Sequence, residues 1–127
     1  LRAGDFRHLA VANPRHAPYG QAAVEVLSRL GLLETLTPRL VRGENVEQAF
    51  QFVISGNAEL GFVATSQLAR SLWGQHGSRW DVPQELYTPI VQQAVLLRDD
   101  ATAHAFLDYL RSAAAQEIIR AHGYGLP

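Results

Sequence analysis

The period of apolar positions changes repeatedly along the chain, and each change marks an element. Residues 8–13, HLAVAN, form a short unbroken apolar run closed by Asn13-Pro14, which predicts a buried strand. Over residues 19–30, Ala23, Val26, Leu27 and Leu30 recur at helical spacing, and Gly31 stands where such a helix ends. A second short strand is predicted around residues 40–42. Val46, Ala49, Phe50, Val53 and Ile54 then make the clearest helical stripe. Asn45 opens it with Gln48 three residues on, the spacing of a capping box, and Gly56-Asn57 closes it.

Residues 60–64 predict a third buried strand, residues 66–73 a short helix, residues 74–87 a loop, and residues 89–98, PIVQQAVLLR, a further strand. The tail predicts two consecutive helices. The first carries Ala105, Phe106, Tyr109 and Leu110; the second carries Ala115, Ile118 and Ile119, with Ser112 as its cap and Gly123 as its stop. Strand, helix, strand, helix, strand is the order of an open α/β sheet with crossover helices.

Composition narrows the function classes. The chain has 127 residues, the size of one domain, and its 47% hydrophobic content is enough for a packed core. A formal net charge of -1 offers neither a nucleic-acid surface nor a polybasic membrane patch. The absence of cysteine removes disulfides, thiolate metal sites and cysteine nucleophiles together. No apolar run approaches the roughly 20 residues of a membrane-crossing helix. The opening LRAGDFRHLAV lacks the pattern of a secretory leader. A mature secreted protein, a cytosolic protein and an excised piece all fit, and the missing initial Met favours a processed or excised chain.

Two helix entrances hold the candidate chemistry. One is Pro18-Tyr19-Gly20, after the first strand; the other is Glu44-Asn45-Val46, after the second. In an open α/β sheet both lie beyond the carboxyl ends of strands, where ligands bind. Each offers free N–H groups and a partial positive charge, so two converging entrances hold an oxyanion without a cationic side chain. The same residues also make plain strand-to-helix turns.

His8, His16, His76, His104 and His122 show no metal-ligand spacing. No G-x-S-x-G or S-x-x-K points to a nucleophile, and Glu25, Glu34, Glu44, Glu47 and Glu59 show no acid–base pairing. Trp73, His76, Trp80 and Asp81 read as a surface loop anchored by its two tryptophans.

Three blocks, NPRHAPYG, GENVEQAFQFV and GNAELGFVATSQ, occur collinearly with the tail ATAHAFLDYLRSAAAQEIIRAHGY. Together they closely resemble the periplasmic molybdate-binding proteins of ABC importers, over nearly the whole chain. The resemblance implies an α/β fold: one lobe of a two-lobed periplasmic-binding protein, an open mixed sheet with flanking helices, plus C-terminal helices that normally pack on the first lobe. Residues 1–88 would be the second, ligand-binding lobe, incomplete. Residues 89–127 would be a hinge-return strand and a helix pair belonging to the first lobe. A fragment is therefore expected.

The resemblance also implies the site: backbone N–H donation from Tyr19 and Val46, with the Tyr19 hydroxyl as an extra donor and support from Pro18, Gly20 and Asn45. The ligand would be molybdate or tungstate, with no cofactor, no free metal cation and no catalysis. Delivery would be to an ABC permease of the inner membrane, from the periplasm, by a full-length monomer. One departure stands out: some relatives place a ligand-contacting tyrosine where this chain has Ala64. The alternative reading is the ligand-sensing domain of a cytosolic transcription regulator built on the same fold. The stripe of Phe106, Tyr109, Leu110, Ile118 and Ile119 is expected to be uncovered in the fragment and to favour self-association.

Overall fold

The computed structural model describes residues 4–70 and 77–126. Its centre is strand β1, Leu9–Ala12, all four residues of which are buried. Parallel strands flank it on both sides: β2, Leu40–Gly43, and β3, Leu60–Gly61, in the order β2-β1-β3. Leu9 pairs with both Leu40 and Leu60, and Ala12 with Gly43. A central strand in a parallel sheet is covered on both faces, which is why HLAVAN reads as an unbroken apolar run instead of an alternating one.

The alternation shows in side-chain size. Leu9 and Val11 point to one face and pack with Ala23, Leu27 and Leu36. These come from helix α1, Pro18–Arg29, and the short helix α2, Leu33–Leu36. Ala10 points to the other face, toward Ala49 and Ala58, with Phe52 and Val53 packed around them. A small residue at Ala10 lets helix α3, Val46–Ile54, lie close on the sheet. Leu9, Val11, Val26 and Leu27 are almost fully buried, each worth roughly 1.5–3 kcal/mol of transfer free energy.

Helix ends follow the expected chemistry. Gly31 takes φ 69° after α1. Its amide donates to Ser28 and that of Leu32 to Leu27, the paired bonds of a Schellman cap. The α2 turn, too short for a periodic trace, continues into a 3-10 turn over Thr37–Arg39 and leads into β2.

After β3 the chain enters helix α4, Thr65–Arg70. The third strand is shorter than expected because only one further ladder bond forms, from the Phe62 amide to Ala10, before the chain turns away. The tail forms helices α5, Ala101–Arg111, and α6, Ala113–Ala121. Asp100 caps the first through the Ala103 amide, and Ser112 caps the second through the Ala115 amide.

Two expectations need correction. All described strand pairings are parallel, so the sheet is not mixed among the described residues. Residues 89–98 form no strand. A strand requires a neighbouring edge to pair with, and among the described residues none lies alongside; Val91, Val95 and Leu97 are 73%, 78% and 91% exposed. This extended segment is preceded by a stretch tied to α1. The Thr88 amide donates to Glu25 at 2.6 Å, and the Arg29 guanidinium donates to the Glu85 carbonyl at 2.7 Å. Of the tryptophan loop, Trp73 and His76 lie outside the described residues; Trp80 is exposed, and Asp81 pairs with Arg79. No helix among the described residues is long and apolar enough to cross a membrane.

Candidate functional site

The end of β1 is fastened before α1 begins. The Asn13 amide donates to the Gly43 carbonyl at 2.7 Å, joining the carboxyl ends of β1 and β2. The Asn13 side chain accepts from the Arg15 amide, and its carbonyl accepts from His16 and Ala17, so NPRHA folds as a tight turn. Ala17 occupies the N-cap with extended backbone and no side-chain cap. Its carbonyl accepts from the amides of both Gly20 and Gln21. Pro18 has no N–H to satisfy. That leaves the Tyr19 amide, which has no hydrogen-bond partner among the described residues.

Gly20 makes this entrance possible. Its backbone lies directly on the end of β1, where a Cβ would collide with the Ala12 carbonyl. No side chain fits there without moving the helix.

The α3 entrance is built differently. Asn45 caps it, accepting from the Gln48 amide at 2.9 Å, while the Gln48 side chain accepts from the Glu44 amide at 2.7 Å. The expected capping box is present, with the return bond one residue earlier than the standard form. The Asn45 carbonyl accepts from Ala49. The Val46 amide, first in the helix, has no partner among the described residues.

Both amide-bearing residues line one cleft of about 540 Å³, with Phe50, Ala64, Gln67 and Tyr124 among its other walls. Tyr19 lines this cleft, and its phenol interacts with that of Tyr124, which lines it too. Burial first, then the neighbouring phenols of Tyr124 and Tyr87, pushes its ionisation above the ordinary value, so it keeps its proton. Among the described residues no arginine lines the cleft. Glu47, the one carboxylate on its wall among the described residues, is held by two side-chain amides, Gln51 at 3.2 Å and Gln67 at 3.0 Å. The Tyr19 and Val46 main-chain donors are neutral, set at two helix N-termini where the backbone dipole favours an anion.

Pro18, Gly20 and Asn45 occupy the supporting positions around the two amides described above. Ala64 is buried on the cleft wall. His16 lies exposed on the first turn, and His104 pairs with Asp99 at 2.7 Å. Sequence reasoning missed three participants. Gln67 stands inside the quoted block GNAELGFVATSQ, yet only the fold brings it to α3. His122 and Tyr124 reach the cleft from the end of α6, a distance along the chain that no local pattern encodes.

Comparison with known proteins follows the same lines. The family model described as bacterial extracellular solute-binding protein matches residues 1–125. The chain is 51% identical to the molybdate-binding protein ModA of Azotobacter vinelandii, over 99% of this chain and 51% of that protein. It is 51% identical to the molybdate-binding protein ModA of Rhodobacter capsulatus, over 94% of this chain and 48% of that one. Among solved structures, the Azotobacter vinelandii periplasmic molybdate-binding protein is similar with a TM-score of 0.85 at 43% identity, over 98% of this chain and 56% of that chain. The chain spans about half the length of the curated relatives it matches.

Proposed function

Because the chain belongs to the bacterial extracellular solute-binding proteins, we propose that its cleft is one half of a site for molybdate or tungstate, captured for delivery to an ABC permease. The observation that carries this reading is that Tyr19 and Val46, whose helix-entrance amides have no partner among the described residues, line one cleft. The identity to two molybdate-binding proteins supports the choice of anion.

In this reading each amide donates to one oxygen of a tetrahedral dianion, and the protonated Tyr19 hydroxyl donates to the same ligand. Pro18 leaves Tyr19 as the free amide of its turn, Gly20 lets that turn sit on the strand end, and Asn45 fixes the second entrance. Two amide bonds to a charged acceptor contribute roughly 3–6 kcal/mol, short of the ~8 kcal/mol that micromolar affinity requires. The remainder comes from the Tyr19 hydroxyl, the helix dipoles and donors outside these 127 residues. The protein acts in the periplasm as a carrier, and its full-length form is a monomer. The 127-residue chain alone self-associates through its uncovered apolar tail.

The test is calorimetric titration of the full-length protein with molybdate, tungstate, sulfate and phosphate, alongside Val46→Pro. Val46 is the first residue of α3, where proline is tolerated, and Asn45 before it is already extended with φ -145° and ψ 177°. The substitution therefore deletes one N–H with little other change. Molybdate and tungstate are expected to bind, with affinity reduced about tenfold or more in the variant. No binding of either anion, or undiminished binding in Val46→Pro, overturns the reading.

A further inference from the structure

Resting on the proposed site, we infer that Gln67 is a positioning residue for oxyanion binding, a strut that holds the Val46 entrance from the neighbouring α4 segment. Its side-chain oxygen accepts from the Ala64 amide at 2.9 Å. Its side-chain nitrogen donates to the Val46 carbonyl at 3.2 Å and to the Glu47 carboxylate at 3.0 Å.

The bond to Ala64 alone is ordinary. A glutamine at the third position of a helix often reaches back to the amide before it, which is half a capping box. The nitrogen goes further. It crosses from α4 to a residue 21 positions earlier and grips the first carbonyl of α3. The partners leave no ambiguity about the amide's orientation, since one end meets a donor and the other meets two acceptors.

The consequence for Val46 is geometric. Its two flanking peptide planes are each pinned by a different group. The Asn45–Val46 plane is held through the Asn45 carbonyl, which accepts from Ala49 at 3.2 Å. The Val46–Glu47 plane is held through the Val46 carbonyl by Gln67. With both planes fixed, the direction of the Val46 N–H is set before any ligand arrives. Donors placed in advance bind without a reorganisation cost. The same nitrogen also restrains the Glu47 carboxylate, the one acidic group on the cleft wall among the described residues, so that its position relative to an incoming anion is set as well.

The experiment uses the full-length protein and reads affinity and stoichiometry separately, by molybdate calorimetry well below the melting temperature. Loss of folded protein lowers the stoichiometry, whereas misplacement of the Val46 donor raises Kd at unchanged stoichiometry. Gln67→Leu is expected to raise Kd about tenfold with full stoichiometry. Asp100→Ala, which removes the cap of α5, a helix with no residue on the cleft wall among the described residues, is expected to lower the melting temperature and leave Kd unchanged.

Gln67→Glu keeps the acceptor for Ala64 and loses the donor to Val46, so it decides the matter if the leucine variant does not fold. Paired with Glu47→Gln it preserves net charge, which separates positioning from repulsion; the pair is still expected to bind about tenfold more weakly. Wild-type Kd in Gln67→Leu, or in the charge-preserving pair, overturns the role of Gln67 while leaving the proposed site intact. Absence of binding in the wild type, or wild-type affinity in Val46→Pro, overturns the site itself.

Discussion

Gly20 stands so close to Ala12 that any side chain at position 20 would run into the Ala12 carbonyl. The helix entrance and the strand end are in backbone contact, and the Tyr19 amide sits one residue from that contact. Gly20→Ala is expected to cost about 1–3 kcal/mol, since the clash is with main chain and not with a side chain able to turn aside. A urea titration checks this through a lower midpoint at constant slope. In the full-length protein the same substitution is expected to weaken molybdate binding, because α1 must move to accommodate it. An unchanged midpoint would show that the helix relaxes freely.

Glu59 ties the amino ends of β1 and β3 together, accepting from the His8 amide at 2.9 Å and from the Arg7 guanidinium at 3.0 Å. The His8 amide first, then the Arg7 side chain, holds its carboxyl well below the usual carboxylate range, at about 2. A depressed carboxylate stabilises the fold above its unfolded-state pKa of about 4.3, and that contribution is lost as pH falls toward the folded value. Glu59→Gln is therefore expected to flatten the acid side of the stability profile between about pH 4.5 and 2. Denaturant midpoints measured across that range check it, and a variant with the wild-type slope there contradicts the assignment.

Tyr19→Phe removes a hydroxyl and leaves the amide. On the proposed site it lowers molybdate affinity about tenfold, less than complete loss, because Val46 and the Tyr19 amide still donate. The raised ionisation of the phenol adds a second expectation. The affinity difference between the wild type and Tyr19→Phe stays flat between about pH 6 and 9, since this donor keeps its proton throughout. Calorimetry of both proteins across that range checks both statements.

Phe106, Tyr109 and Ile118 are 60%, 49% and 52% exposed, on the same tail as the uncovered Val91, Val95 and Leu97. Apolar surface of this extent drives association. The 127-residue chain is expected to sediment as a concentration-dependent mixture, shifting toward monomer in the double variant Val95→Lys, Ile118→Lys. A wild-type chain that stays monomeric at every concentration tested rules this out.

Local chemistry was the legible part of the fold. Asn45 and Ser112 cap the helices whose sequence spacing announces them, and Gly31, Gly56 and Gly123 take positive φ where the helical stripes stop. The apolar run around Ala10 is a buried strand because β2 and β3 flank it on both sides. Residues 89–98 carry the same kind of run without a neighbouring edge among the described residues, and periodicity reports burial tendency, not the presence of a partner. The candidate site divides the same way. Tyr19 and Val46 are visible as helix entrances, whereas Gln67 and Tyr124 matter only through contacts that bring distant segments together. Glu59 belongs to this second group: nothing about an exposed glutamate in GNAELG marks it as the partner of His8.

Unpartnered main-chain amides have a consequence for a saturating substitution scan of the full-length protein. Every residue except proline carries an N–H, so position 46 is expected to tolerate many replacements and to fail at proline. Intolerance would instead concentrate where the chain's path is dictated, at Gly20 above all. Read by tolerance profile, such a pocket would look like a folding determinant, and a search for invariant polar side chains would pass over it.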